Sequence, residues 1–271
     1  MSQEAADAAA LVTRGGLKLE AAFEHFGLRS TLRGRRALDI GCSHGGFTAA
    51  MLRAGATHVT GVDVGRDQMR EPLRSDPRVT LIEGAHFKFL SLQQAAGPFD
   101  FFTIDVSFAA ARTMLHPLAM RLQPGAEGVV LVKPQFELPK ELVPAGGVVE
   151  SRNLRKLAFN RFKRKAFKEG FDIIDRIPCP ITGGDGNREY LAWLRYSGRP
   201  STRDNAATSA QNGDSARNAA SAATSSSTVP NPTSGPHAQA PSAPPAPRPP
   251  APRRAGPGGL QQRQRQGRPR R

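Results

Sequence analysis

The sequence predicts an α/β domain with a doubly wound, mainly parallel sheet, and two observations lead to this prediction. Short apolar segments typical of buried strands alternate with segments of helical periodicity between residues 37 and 196. Such alternation favours parallel strands with helices on both faces of the sheet. Polar or charged residues also follow several of the strand segments directly. Because ligands bind beyond the carboxyl ends of parallel strands, the second observation predicts where the functional site lies.

Each predicted element is delimited by its own pattern. The helix predicted from Phe108 stops before Pro124, and the last helix is closed by Gly170, since proline and glycine both terminate helices. The strand segments are Ala37–Ile40, His58–Val62, Val79–Ile82, Phe99–Ile104, Gly128–Val132, Phe171–Ile177 and Tyr190–Tyr196. The helical segments are Gly46–Arg53, Phe108–Leu122 and Leu154–Glu169.

Four strand ends carry the residues that we expect to form the site. The first strand leads into the segment Asp39–Gly46, and three later strands are followed by or end near Asp63, Asp105 and Lys133. Parallel strands place their carboxyl ends at one edge of a sheet. We therefore expect these residues to lie close together.

The chain divides into two regions of different composition. Residues 1–200 contain the apolar segments of a globular domain, whereas residues 201–271 hold one Val, one Leu and no Phe, Tyr, Trp, Ile, Met or Lys. The second region cannot bury enough apolar surface to offset the entropy of ordering it. We predict a globular domain over residues 1–200 and a disordered, basic Ser/Ala/Pro/Arg-rich tail over residues 201–271.

Both regions are basic. The chain carries a net charge of +15, from 38 Lys and Arg against 23 Asp and Glu. The tail has ten Arg and two Asp, hence +8, which leaves +7 for residues 1–200. This charge favours a polyanionic partner such as nucleic acid. The alternative is a basic tail that only aids solubility.

The remaining composition excludes several classes of protein. Cys42 and Cys179 have neither metal-ligand spacing nor a disulfide framework. The first twelve residues lack the pattern of a signal peptide, and no apolar run approaches the ~20 residues that span a bilayer. We expect a cytoplasmic protein with free thiols and no metal.

A glycine-rich segment connects the first predicted strand to the first helix. Gly41, Gly45 and Gly46 allow tight turns and close approach of a ligand. Asp63 follows the next strand, 24 residues after Asp39, a spacing that suits a carboxylate binding ribose hydroxyls. An enzyme that uses a dinucleotide would show a similar loop, and glycines also occur in purely structural turns.

Two details favour S-adenosylmethionine over a dinucleotide. The glycines do not follow the G-x-G-x-x-G spacing of a pyrophosphate site, and the charged strand ends suit a positively charged cofactor and a hydroxyl nucleophile. In this interpretation Phe47 packs beside the cofactor and His86 borders its adenine. The predicted cofactor-binding residues are Asp39, Gly41, Ser43, Gly45, Gly46, Phe47, Asp63, His86 and Asp105.

Four further segments, which we interpret as loops at the site, resemble a known family. They are Thr13–Leu19, Ile104–Phe108, Leu131–Glu137 and Ile181–Tyr190. Together with the glycine loop they resemble the FtsJ-like methyltransferases, most closely the TlyA family of rRNA cytidine 2′-O-methyltransferases, which have also been described as haemolysins. The resemblance runs from about Thr13 to Leu194. It implies a Rossmann-like fold and S-adenosylmethionine as cofactor.

The resemblance implies a catalytic Lys-Asp-Lys-Glu tetrad, which falls on Lys18, Asp105, Lys133 and Glu189. A ribose 2′-hydroxyl is a poor nucleophile until its proton is removed, and a neutral lysine can act as the general base. Lys133 follows an apolar strand, and burial beside a second cation disfavours the charged form of a lysine. We expect Lys133 to be the base and Lys18 to steady the developing alkoxide. The two acids would orient the lysines.

The last predicted helix is strongly basic. Leu154, Ala158, Phe162 and Ala166 recur every four residues and form one apolar face. The other faces carry cations that we predict to contact RNA phosphates. The alternatives are a merely solvated face and a helix that lies on an anionic membrane. The predicted RNA-binding residues are Arg152, Arg155, Lys156, Lys163, Arg164 and Lys165.

Three features depart from the family pattern. Family members usually begin with a small RNA-binding module, whereas only twelve residues precede Thr13, so we expect that module to be absent or the start codon to be misassigned. The arginine-rich tail would then supply nonspecific RNA affinity. The segments Cys42–His44 and Gly84–His86 also differ, which puts the family's mode of adenine recognition in question.

The sequence thus predicts 2′-O-methylation of a ribose in RNA, with cytidine of ribosomal RNA as the family's usual target. Ribosomal RNA or ribosomal subunits are the expected partners, with no obligate protein partner. Two alternatives remain open. One is a non-catalytic RNA-binding or ribosome-assembly factor on the same fold, and the other is a membrane-active, haemolysin-like protein.

Overall fold

A seven-stranded sheet forms the centre of the molecule. The structure, a computed structural model, describes residues 13–198 of the chain. The spatial order of the strands is β3-β2-β1-β4-β5-β7-β6. Their bounds are β1 Arg36–Ile40, β2 His58–Val62, β3 Val79–Ile82, β4 Phe99–Ile104, β5 Leu122–Val132, β6 Phe171–Pro178 and β7 Tyr190–Tyr196.

The sheet is mainly parallel, as predicted. Strands β1 to β5 pair in parallel, and β7 inserts antiparallel between β5 and β6. The chain order reverses between β1 and β4, so the carboxyl ends of these two strands flank a crevice. In doubly wound sheets this switch point is where ligands bind.

Helices cover both faces of the sheet. Alternate side chains of a strand face opposite sides, so Phe101 packs with the helices of one face and Phe102 with those of the other. The first face carries α1 Arg14–Phe26 and α2 Gly46–Arg53. The second carries α3 Leu115–Ala119 and α5 Arg152–Lys168, with the short helix α4 Pro134–Glu137 packed against α5. None of the helices within residues 13–198 is long and apolar enough to cross a membrane.

The prediction of a site loop over Thr13–Leu19 was wrong, because this segment is the first turn and a half of α1. The Thr13 hydroxyl caps the helix by accepting from the Gly16 amide at 3.0 Å. Adjacent glycines usually weaken a helix. Here Gly16 lies so close to α2 that a Cβ would stand 3.0 Å from the Gly46 carbonyl oxygen, and this close approach explains the small residue.

The single helix predicted over Phe108–Leu122 was also wrong. The segment contains a 3-10 turn at Ala111–Thr113 and the short helix α3, and β5 already begins at Leu122. Phe108 has a φ of +62°, which interrupts a right-handed helix. The Arg112 amide donates to a side chain, the Glu137 carboxylate, at 3.2 Å. The predicted tail, residues 201–271, lies outside the described residues.

Candidate active site

The glycine loop between β1 and α2 is shaped by close backbone contacts. Gly41 has a φ of +86°, and a Cβ there would stand 2.3 Å from the carbonyl oxygen of Asp105. A Cβ on Gly46 would stand 2.1 Å from the Thr13 hydroxyl. The loop is therefore clamped between the end of β4 and the start of α1, and larger residues at these two positions would force them apart.

Two adjoining cavities open at this loop. The first, of about 380 Å³, is lined by Asp63, His86, Phe87, Met114 and others, and we call it the Asp63 cavity. The second, of about 460 Å³, is lined by residues that include Thr13, Arg14, Phe47, Gly46 and Arg70, and we call it the Phe47 cavity. Gly41, Ser43 and Asp105 line both cavities. Seven of the nine predicted cofactor-binding residues thus line one or both of these cavities, and Gly45 and Asp39 line neither.

Asp63 organises the wall of the first cavity. One carboxylate oxygen accepts from the Ser43 amide at 2.8 Å, and the other accepts from the Gly65 amide at 2.7 Å. A carboxylate oxygen accepts more than one hydrogen bond. Asp63 therefore keeps accepting capacity for the hydroxyls of a bound ligand.

Asp39 and Gly45 contact the residues around the glycine loop but line neither cavity. Asp39 is fully buried, and its carboxylate accepts from the hydroxyls of Thr48 at 2.7 Å and Thr103 at 2.8 Å. Burial raises the pKa of Asp39 to about 6, against the opposing effect of the two threonine hydrogen bonds. Gly45 precedes α2 and packs on Leu73. The structure thus places both residues behind the cavity wall.

His86 lies at the far side of the first cavity. Its Nδ1 accepts from the Lys88 amide at 3.2 Å, and its ring packs against Phe89 with centroids 5.1 Å apart. Arg121, which was not predicted, holds this loop in place. The buried Arg121 guanidinium donates to the carbonyls of Leu90 and Ser91, and it lies over the Phe87 ring.

The four residues of the predicted tetrad form two ion pairs. Lys18 Nζ lies 2.5 Å from Glu189 Oε2, with both side chains almost fully buried. Lys133 Nζ lies 2.7 Å from Asp105 Oδ1 and donates to the Ser107 hydroxyl at 2.9 Å. Ser107 was not predicted. Its position in the Ile104–Phe108 motif, two residues after Asp105, could have indicated it.

Cys179 lies beside Glu189, because its amide donates to the Glu189 carbonyl at 2.8 Å. Burial raises the pKa of the Cys179 thiol, Lys18 lowers it, and Glu189 and Asp105 raise it further. Lys18 lies in α1, Asp105 follows β4, Lys133 follows β5 and Glu189 precedes β7. One ion pair thus joins α1 to the start of β7, and the other joins the ends of β4 and β5.

Two further residues, Arg14 and Asn187, join the segments around the ion pairs. Arg14 donates to the carbonyl of Thr182 at 2.5 Å, which attaches the start of α1 to the Ile181–Tyr190 segment. The buried Asn187 accepts from the Val149 amide and donates to the Gly147 carbonyl. Neither residue was predicted. A buried asparagine shows no pattern in sequence that distinguishes it from an exposed one.

The predicted basic helix is present as α5, and its cations are not equivalent. Arg155 donates to the carbonyl of Val149 at 3.1 Å, and Lys165 is paired with Glu169. These two predicted RNA contacts are occupied within the chain. The exposed cations among the six are Arg152, Lys156, Lys163 and Arg164.

The doubly wound sheet, the glycine loop at its switch point and the two cavities that Asp105 borders define a methyltransferase-type domain. Residues 11–196 match the family model described as FtsJ-like methyltransferase. The match covers well over half of the chain, and the protein belongs to this family.

Individual relatives agree with this assignment. The chain is 40% identical over 186 residues to the 16S/23S rRNA (cytidine-2′-O)-methyltransferase TlyA of Mycobacterium tuberculosis, covering 69% of each chain. It is 37% identical to Hemolysin A of Brachyspira hyodysenteriae, covering 67% of this chain and 75% of that one. A solved structure of a candidate hemolysin from Lactococcus lactis is similar with a TM-score of 0.66 and 38% identity, covering 69% of this chain and 89% of that one.

Proposed function

We propose that this protein transfers a methyl group from S-adenosylmethionine to the 2′-hydroxyl of a ribose in ribosomal RNA. The observation that carries the proposal is the position of Asp105. This carboxylate lines both cavities and is paired with Lys133, so a cofactor in the crevice and the predicted base meet at one residue. The activity in the name of the mycobacterial relative supports the same reaction.

The lining of the crevice fits the chemistry of this cofactor. The Asp63 cavity combines a carboxylate for ribose hydroxyls with apolar and aromatic side chains such as Val62, Phe87 and Met114, which suit an adenine ring. The Phe47 cavity offers Arg14 and Arg70 near the loop, which suit the carboxylate of an amino-acid moiety. Asp105 lies where the two cavities join, and its negative charge suits a sulfonium.

The bound cofactor would supply an electrophilic methyl group, and the residues of the chain would prepare the nucleophile. Lys133 in its neutral form would accept the proton of the ribose 2′-hydroxyl and so prepare the oxygen as the nucleophile. Asp105 and Ser107 hold Lys133 Nζ in position. Lys18, fixed by Glu189, places a positive charge beside the oxygen as its negative charge develops. Alignment of the reacting atoms contributes a further large share of the rate.

The exposed cations of α5 are proposed to hold the RNA. At 100° per residue, Arg152, Lys156 and Lys163 fall within about 40° of one another on the helix surface. We call these three residues the basic stripe. From Arg152 to Lys163 the helix rises by about 17 Å, so the stripe is long enough to contact several consecutive phosphates. The predicted contribution of the tail to RNA affinity stays a prediction.

The first experiment is transfer of labelled methyl groups from S-adenosylmethionine to ribosomal RNA, free and within ribosomal subunits. With the wild-type chain, label should appear on a ribose 2′-oxygen, and with Lys133→Ala this label should be lost. The wild-type chain and the variant should bind the cofactor with similar affinity. Cofactor binding without transfer to any of these substrates would contradict the proposed reaction and favour a non-catalytic RNA-binding factor. Leakage from liposomes, measured in parallel, would favour a membrane-active, haemolysin-like function, as in the name of the Brachyspira relative.

A further inference from the structure

Glu137 ends the motif that contains Lys133. It belongs neither to the predicted tetrad nor to the predicted RNA contacts. Glu137 is the last residue of α4 and is fully buried. A buried carboxylate is costly unless it is paired and hydrogen-bonded. Glu137 meets both conditions, because Arg112 Nη1 lies 2.6 Å from its Oε2 and the Arg112 amide donates to its Oε1 at 3.2 Å.

The main chain of Glu137 is held as tightly as its side chain. Its carbonyl oxygen accepts from Arg112 Nη1 at 3.0 Å and from Arg161 Nε, on α5, also at 3.0 Å. Its amide donates to the carbonyl of Lys133 at 3.2 Å. Glu137 therefore connects three elements: the segment after β4, the segment after β5, and the basic helix.

Two of the elements that Glu137 connects contain Lys133 and its partners. Asp105 and Ser107, which bind Lys133 Nζ, precede Arg112 in the segment that follows β4. Lys133 itself begins the turn that Glu137 ends. The two segments thus meet through the Lys133 amine, through the Arg112–Glu137 pair and through the rings of Phe108 and Phe136, whose centroids lie 5.8 Å apart. The Phe108 ring is exposed, whereas Glu137 is fully buried. If the Arg112–Glu137 pair is removed, the buried anchor of the segment that follows Asp105 and Ser107 is lost.

We infer that Glu137, held by Arg112, is a positioning residue that fixes the Asp105–Ser107 segment against Lys133 for proton transfer. The inference rests on the proposed function, since it concerns the geometry of the proposed base. Burial raises the pKa of Glu137 and Arg112 opposes this effect, which agrees with a carboxylate that depends on this arginine to stay charged.

The test compares two buried acids, one on either side of Lys133 in the chain. Glu137→Gln keeps the size of the side chain and removes its charge. Glu127→Gln is the matched control, because Glu127 is also buried and paired with an arginine, Arg195 at 2.9 Å, but lies in the middle of β5 away from Lys133. Both variants should lose stability, which is measured by chemical unfolding.

Only Glu137→Gln should change the catalytic step. With ribosomal RNA and ribosomal subunits as substrates, we expect its kcat to fall at least tenfold, with the KM for RNA and the Kd for S-adenosylmethionine within about twofold of wild type. Glu127→Gln should keep kcat within about twofold. Arg112→Lys keeps the positive charge but replaces the planar guanidinium with a shorter, differently directed donor, so its kcat should lie between that of Arg112→Ala and that of wild type. Equal kcat for the two glutamine variants would overturn the inference.

Hydrogen exchange provides a measurement that does not depend on activity. In Glu137→Gln, amides of residues 105–112 should exchange faster than in wild type, whereas in Glu127→Gln they should be unchanged. Unchanged exchange in Glu137→Gln would also overturn the inference. If the wild-type chain transfers no methyl group, the proposed function fails, and the exchange result still decides whether Glu137 holds this segment.

Discussion

The two ion pairs of the site consist of the same kinds of residue in different environments. In Lys18–Glu189 the side chains are 9% and 3% exposed, whereas in Lys133–Asp105 they are 11% and 21% exposed. Lys133 has a second partner in Ser107, and its acid borders both cavities. The comparison suggests that the enclosed pair fixes a charge in place, while the open pair can exchange a proton with a substrate.

The largest expected effect is a difference in the free energy of unfolding that is lost when the lysine of each ion pair is removed. Lys18→Ala leaves Glu189 buried without its cation, and breaking a buried pair in this way costs about 3–5 kcal/mol. Lys133→Ala should cost less, about 1–2 kcal/mol, because Asp105 remains partly solvated. Chemical denaturation of both variants measures the difference. Equal losses would show that the exposure of Asp105 does not distinguish the pairs.

A smaller effect concerns Asp39, a buried acid whose hydrogen-bond partners are hydroxyls and not a cation. Its pKa is raised from 3.8 to about 6 in the folded chain, so the folded state binds the proton more tightly than the unfolded state. Its contribution to stability is therefore most favourable below about pH 4 and is lost as pH rises through 6, by on the order of 3 kcal/mol.

Asp39→Asn tests this pH dependence. The free energy of unfolding, measured between pH 4 and 7, should fall less steeply with pH in the variant than in wild type. Asp63→Asn is a suitable control, because Asp63 lies at the cavity wall and accepts backbone hydrogen bonds instead. If Asp39→Asn left the pH dependence of the free energy of unfolding unaltered, Asp39 would be excluded as the source of that dependence.

The smallest expected effect extends the comparison to exposed charges. Lys163→Ala should weaken RNA binding by about 1 kcal/mol or less and reduce the slope of log affinity against log salt by about one. Lys165→Ala is the matched control on the same helix, because Lys165 is already paired with Glu169. Titrations at several salt concentrations give both slopes. The basic stripe would have no part in binding if the two variants behaved alike.

Much of the fold was predictable because strand and helix periodicity is local. The bounds of β2, β3, β4, β7 and α2 agree with those predicted. The strand predicted over Gly128–Val132 begins six residues earlier, at Leu122, and the predicted loop Leu131–Glu137 contains the end of β5 and α4. The errors at Thr13–Leu19 and Phe108–Leu122 have non-local causes. Gly16 of α1 is tolerated because α2 approaches it closely. The predicted helix after Phe108 is interrupted where Glu137 supplies the hydrogen-bond partner of Arg112. Periodicity contains no information about such contacts.

The sequence predicted residue types for the candidate site and its place on the sheet, and the roles of these residues stay predictions. The order of the motifs, the ends of the parallel strands and the family resemblance were enough to select Lys18, Asp105, Lys133 and Glu189. The Asp63 cavity also has the residues predicted for it. The sequence did not distinguish Asp39, which lies behind the cavity wall, from residues that line it.

The sequence by itself determined the α/β architecture, the basic charge and the set of residues available for chemistry, because each follows from composition or local spacing. Only the tertiary structure decided which acid pairs with which lysine, and which cations of α5 are already occupied. Those pairings join residues as far apart as Lys18 and Glu189. They depend on burial and on distances between elements, which are set only when the helices pack against the sheet.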